Sequence, residues 1–179
     1  MLAYIFVLFA IAGRVLNLSV HAWSFTPVAA SLLFFGARGS KRQLWVPVAL
    51  LAVSDVLLNR YVYNYPFGWD QLVIFAWYAA IVLLGTALRK TSKPLPILGA
   101  ALASSISFFV ISNFMVWATG TMYPRTWAGL LTCFDAAVPF FRHTLESDLL
   151  FTALMFATPA VLRVLGDLFS REGDRSAAA

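Results

Sequence analysis

Apolar runs alternate with short polar breaks along the chain. The runs are Leu2 to Ala12, Trp23 to Ala37, Leu44 to Leu58, Gln71 to Leu88, Ile97 to Ala118 and Leu145 to Leu165. A helix rises about 1.5 Å per residue and a bilayer core is about 30 Å thick, so roughly 20 residues are needed to cross. Only the last two runs meet this comfortably. The first three are short unless their polar flanks join them or the protein shields their ends from lipid, and short spans with polar ends commonly line a cavity. Thr126 to Phe141 is a seventh apolar stretch. The pattern predicts an all-α integral membrane protein, a six-helix transmembrane bundle, with that stretch as a short half-helix or interfacial helix before the last span.

Charge separates six spans from seven. With six, one side collects Arg38, Lys41, Arg42, Arg89, Lys90, Lys93, Arg163, Arg171 and Arg175, leaving Arg14, Arg60, Arg125 and Arg142 on the other. The excess of positive charge on the cytoplasmic side of membrane proteins then puts both termini in the cytoplasm. If Thr126 to Phe141 also crosses, the bias falls to seven against six. Pro139 and the cluster Arg142, His143, Glu146 and Asp148 argue the same way, because a lipid-facing helix through them is expensive.

Composition agrees. Hydrophobic residues make up 61% of the 179 residues against 12% charged, with a mean hydropathy of +0.80; a soluble domain carries roughly 25% charged residues. MLAYIFVLFAIAG lacks a basic flank and a small-residue cleavage site, so it is expected to stay as the first span. The net charge of +5 is spread over short basic clusters between apolar runs, as expected of loops facing anionic headgroups; the lipid bilayer is the expected partner and nucleic acid is not. Residues 1–169 read as one transmembrane domain and 170–179 as a flexible cytoplasmic tail.

With this topology the outer ends gather Arg14, Asn17 and His21, then Asn59, Arg60, Tyr61, Tyr63, Tyr65, Trp69 and Asp70, then Trp117, Tyr123, Arg125, Trp127, Arg142 and His143. Interfacial anchoring explains aromatic and arginine residues there; a ligand pocket with aromatic walls and a few fixed polar groups explains them too. Polar groups inside the runs are more informative, since an ionisable side chain in hydrocarbon costs roughly 2.5–3.5 kcal/mol. Asp55 and Asp148 read as lying near outer helix ends, either paired with an arginine such as Arg60, Arg125 or Arg142 or binding a cationic or polar substrate, or a proton. Asn113 reads as an interhelical hydrogen bond or a ligand contact. Gly99, Ala103 and Ser107, with Ala100/Ser104 and Ala101/Ser105, form a small-residue face for close helix packing.

No GxSxG, HExxH, Walker A or GxGxxG motif lies in a suitable context, and the two histidines lack metal-ligand spacing. The lone Cys133 rules out an internal disulfide and a CxxC zinc site. No catalytic residue, metal or cofactor is expected; an intramembrane enzyme would need two of Asp55, Asp135, His143 and Asp148 in one cleft.

The segments SFTPVAASLLFFGA (Ser24 to Ala37), VPVALLAVSD (Val46 to Asp55), SNFMVWATGTMYPRTWAGLLTCFDAAVPFFRHTL (Ser112 to Leu145) and DLLFTALMF (Asp148 to Phe156) resemble a family of small, uncharacterised bacterial multi-pass membrane proteins. That resemblance implies the bacterial cytoplasmic membrane. More loosely, the length, six spans with both termini inside, and a TPVA-type helix after the first span look like the substrate-binding S-components of energy-coupling-factor vitamin transporters. This second resemblance implies capture of a vitamin-like or other small organic molecule from outside. Asn113 would then fix a polar group of the solute, Trp117, Tyr123 and Trp127 would wall the mouth, Arg125 would draw in a negative or polar solute, and Asp55, Asp148 and Arg142 would complete the site. The chain departs from that pattern in its first helix, where Ala3, Ala10 and Ala12 lack the A-x-x-x-A spacing used for docking. The alternative is an accessory or assembly subunit of a larger membrane complex, with a membrane protein as partner and the Gly99 face buried against it.

Overall fold

The computed structural model describes residues 1–20 and 26–177. Within them the helices are α1 (Leu2–Val20), α2 (Val28–Arg38), α3 (Trp45–Tyr61), α4 (Trp69–Ala87), α5 (Pro94–Thr119) and α6 (Trp127–Ala177), with 3-10 turns at Lys41–Gln43 and Leu88–Lys90 and no strand among the described residues. Four stretches are long and apolar enough to cross a membrane: Lys41–Tyr61, Trp69–Lys90, Pro94–Thr119 and Trp127–Leu168. The chain is therefore a membrane protein, and the six-helix reading of the hydropathy pattern holds.

The short α2 is the centre of the bundle. Every residue from Val28 to Ala37 is buried, as expected of a helix that is apolar all round. Its one polar side chain there, Ser31, donates back to the Val28 carbonyl at 2.8 Å. Eleven residues span only about 16 Å, and protein rather than lipid surrounds them. The partner helices reach it in two ways. α4 approaches by backbone: a Cβ at Gly36 would lie 2.1 Å from the Val82 carbonyl oxygen, and one at Gly85 would lie 2.4 Å from that of Leu33. α1 and α6 approach by rings, with edge-to-face pairs Tyr4–Phe35 at 5.0 Å, Phe6–Phe34 at 4.9 Å and Phe34–Phe156 at 5.3 Å, a geometry that aligns the positive ring edge with the negative face.

Helix direction alternates from α1 to α6. Tyr4 of α1 hydrogen-bonds Gln43, placing the start of α1 beside the end of α2 and the start of α3. There Arg38 donates to the carbonyls of Arg89 (3.1 Å) and Thr91 (2.9 Å), and Arg89 returns a bond to Gly39 O at 3.1 Å. These reciprocal bonds tie the α2–α3 and α4–α5 connections into one basic end. The α3–α4 and α5–α6 connections form the opposite end.

Three sequence expectations are refined. Thr126 to Phe141 is not a separate half-helix: from Trp127 on it is the first part of α6, which continues through Pro139 and Pro159. Spanning helices tolerate such prolines when neighbours satisfy the freed backbone. The small-residue face of α5 splits, with Ala100, Ala101, Ser104 and Ser105 buried and Ala103 exposed, while nothing lies within 4 Å of a Cβ at Gly99. Ala3 and Ala10 of α1 are buried, so the small residues of the first helix pack inward. The backbone of α6 runs on through Ala177; His21, the side chain of Asn17 and the side chains of residues 171–177 lie outside the described residues.

Because the α2–α4 crossing leaves no room for a β-carbon, Gly36→Leu and Gly85→Leu are each expected to destabilise the fold by about 2 kcal/mol or more. Gly99→Ala should stay within about 0.5 kcal/mol of the parent. Thermal unfolding in detergent micelles, followed by tryptophan fluorescence, separates the two groups.

Candidate functional site

The polar side chains that enter the bundle come from different helices and find one another. Arg14 on α1 donates to Asp55 on α3 and, at 3.2 Å, to Ser54 Oγ. Tyr78, in the middle of α4, donates to the other oxygen of Asp55 at 2.7 Å. Asp55 and Tyr78 are buried. An unpaired charge here would carry a large desolvation penalty, so the arginine, carboxylate and phenol stabilise one another as a unit. The partner of Asp55 is thus Arg14, not Arg60, Arg125 or Arg142.

Asp148 on α6 makes a second polar contact, accepting from Ser105 of α5 at 2.7 Å. It has no cationic partner within ion-pair distance among the described residues. Ser105 is near the midpoint of α5, so Asp148 lies at mid-depth and not near an outer helix end. The register of α6 is set by packing on α5, which the limits of the hydropathy run do not reveal. At a similar level Trp77 Nε1 donates to Ser107 Oγ at 2.9 Å and Ser147 Oγ to Thr26 O at 2.8 Å.

A cavity of about 530 Å³ opens above the Arg14–Asp55–Tyr78 unit, between α3, α4 and α5 at the end opposite the basic loops. Its walls carry Asn59, Tyr65, Asp70 and Gln71 as polar groups and Ile74, Phe75, Phe108, Met115 and Val116 as apolar ones. Tyr65 sits in the α3–α4 connection beside Asp70; desolvation and the negative charge of Asp70 hold its phenol above the usual tyrosine range. Two smaller cavities of about 180 Å³ each adjoin it. One is lined by Arg14, Tyr78, Thr144 and Asp148, the other by Ser112, Asn113, Phe140 and Phe141. Phe108 borders all three.

The structure therefore distributes the residues expected to share one outer basin. Asp55, Asp148 and Asn113 line three different cavities. Asn113 Nδ2 bonds the Phe109 carbonyl one turn back in its own helix at 2.7 Å, and Cys133 Sγ donates to the Asn113 carbonyl at 3.5 Å, closing α5 against α6. Trp117 Nε1 donates to Pro124 O at 3.0 Å and so clamps the α5–α6 turn. Gly129 packs there with no room for a side chain: a β-carbon on it would lie 2.0 Å from the same carbonyl oxygen. Tyr123 is half-buried, while Arg125 and Trp127 are exposed. Arg142 is exposed and paired with Glu146 at 2.9 Å. Among the described cavities none holds two of Asp55, Asp135, His143 and Asp148. No cluster of three metal-ligating side chains occurs among the described residues.

Sequence reasoning missed Tyr78, Gln71 and Phe108 as cavity residues. Tyr78 was the findable one: a phenol in the middle of the Gln71 to Leu88 run is far from either interface and needs a buried partner. Gln71 and Phe108 are ordinary span residues until the helices around them are placed.

The chain belongs to a family of unknown function (DUF6580), whose model matches residues 1–167. No curated protein and no solved structure matches it.

If Arg14 and Asp55 act as a unit, Arg14→Ala and Asp55→Ala should each lower stability by about 3 kcal/mol by stranding the other charge. The double variant Arg14→Ala/Asp55→Ala should lose less than the two single losses combined. A double-mutant cycle on thermal unfolding in micelles measures the coupling.

Proposed function

We propose that this protein is a small-solute-binding membrane transport protein of S-component type, capturing a vitamin-like or other small organic molecule from the outer face of the bacterial cytoplasmic membrane. The supporting observation is the cavity of about 530 Å³ between α3, α4 and α5, with apolar and aromatic walls, a few placed polar groups, and a buried ion pair as its floor. This size and lining suit a small organic ligand. The alternating helices put the start of α1 and the later part of α6 toward the end tied together by Arg38 and Arg89. Assigning that basic end to the cytoplasm follows the distribution of positive charge and opens the cavity outward. The site differs from the one the motifs suggested. Asp55 remains in it, Tyr78, Asn59 and Gln71 join it, and Asn113, Trp117, Tyr123, Arg125, Trp127, Arg142 and Asp148 lie elsewhere.

A second reading is an accessory subunit of a membrane complex, and two observations favour it. Gly99 and Ala103 leave an open small-residue surface on α5. Beside it runs an apolar groove of about 580 Å³ lined by Leu95, Leu98, Leu149, Ala153 and Phe156, with the Thr152 hydroxyl lacking a partner. A transmembrane partner helix would fit there, and an S-component also works docked on a partner, so the two readings share this surface. Stoichiometric copurification of a membrane protein, lost in Gly99→Leu but retained when the cavity is altered, would favour the accessory reading.

For the transport reading, a vitamin and metabolite panel screened by thermal shift in nanodiscs is expected to yield a stabilising ligand. Phe108→Ala and Asn59→Ala should weaken that stabilisation about tenfold in apparent affinity, each through lost contacts worth about 1–2 kcal/mol. Asn113→Ala should leave it unchanged. A ligand whose binding depends on Asn113 and not on the α3–α4–α5 cavity would overturn this assignment. Fusions of an activity reporter to the C-terminus are expected to report a cytoplasmic tail.

A further inference from the structure

We infer that the α3–α4–α5 cavity selects organic cations: solutes with an apolar body and a hydrogen-bond-donating, positively charged nitrogen group. This rests on the solute-binding reading above and adds the chemical class of the solute. The argument comes from which polar groups around the cavity remain unmatched. Arg14 is the cationic side chain among the lining residues, and its charge is answered by Asp55, whose second oxygen is already taken by Tyr78. Asp70 accepts a hydrogen bond from the neutral Tyr65 phenol and has no cation within ion-pair distance among the described residues. Its neighbour Gln71 is 5% exposed, and Gln71 Nε2 donates to the Pro66 carbonyl at 3.2 Å. A carbonyl can only accept, so this bond fixes the amide with its nitrogen toward Pro66 and leaves Oε1 without a partner. A buried oxygen without a donor is costly, and a donor-bearing ligand removes that cost.

Among the lining residues the carboxylate without a countercharge and the buried acceptor without a donor are thus adjacent in the first turn of α4. An anion would face Asp70 and could offer Gln71 Oε1 nothing. An ammonium, amidinium or aminoheterocycle can satisfy both, with its apolar part against Phe75 and Phe108, whose ring faces also favour a cation. Arg60 and Arg125 are exposed and do not line the cavity, so solvent and salt screen them more than Asp70 is screened.

The test uses the full chain in neutral phosphatidylcholine nanodiscs, with Cys133→Ala removing the native thiol and Thr119→Cys placing one on the cavity wall. Two methanethiosulfonate reagents, one carrying ethyltrimethylammonium and one ethylsulfonate, are reacted with it, and each rate is divided by the rate on a free thiol. The cationic reagent is expected to react about fivefold faster. Asp70→Asn should bring the ratio near one and Asp70→Glu should restore it. Millimolar benzamidinium should slow the cationic reagent, and benzoate should not. A normalised ratio at or below one, or one that Asp70→Asn leaves unchanged, overturns the cation assignment while leaving a water-accessible cavity. Failure of both reagents to react overturns the solute-binding reading itself, and this inference with it.

Discussion

Hydrocarbon offers no hydrogen-bond partners, so a polar group that faces into the bundle is costly unless it is satisfied there, and the arrangement of helices follows largely from where those groups meet. The Arg14–Asp55–Tyr78 unit is the clearest instance. It joins α1, α3 and α4 through one carboxylate, and neither charge could be held at that depth alone. A chain poor in polar residues has few such groups, which gives each of them unusual weight in choosing neighbours. Ser105 with Asp148 and Trp77 with Ser107 extend the same logic to α5 and α6.

The central helix is the complement of this polar layer. α2 has no face that needs water or lipid, and its Gly36 lets α4 approach until backbone meets backbone. The remaining helices are arranged around it by rings and small residues, and the basic end is fastened by arginines bonding to carbonyls of the opposite connection. Packing is therefore tight around α2. It is looser toward the opposite end, where α3, α4 and α5 diverge around the cavity.

Much of the architecture was legible in the linear order of residues. Run lengths, polar breaks and the placement of Arg38, Arg89 and Lys93 identify a six-helix membrane protein with a basic end, because hydrocarbon thickness and headgroup charge act on each segment separately. The inward role of Asp55 was legible for the same reason: a carboxylate inside an apolar run must find a partner. That the run from Val28 to Ala37 would lie at the centre, and that α6 would continue through Pro139, depended on neighbours.

Tertiary structure alone decided the pairings and the site. Arg14 answers Asp55 from 41 residues away, Asp148 faces Ser105 because α6 takes its register from α5, and Asn113 turns back on its own helix. Hydropathy is a property of each segment and fixes neither its rotation nor its register against a neighbour. Those two variables determine which side chains share a cavity, so segment composition established the solvent and the number of helices, while helix packing chose the residues that line the pocket.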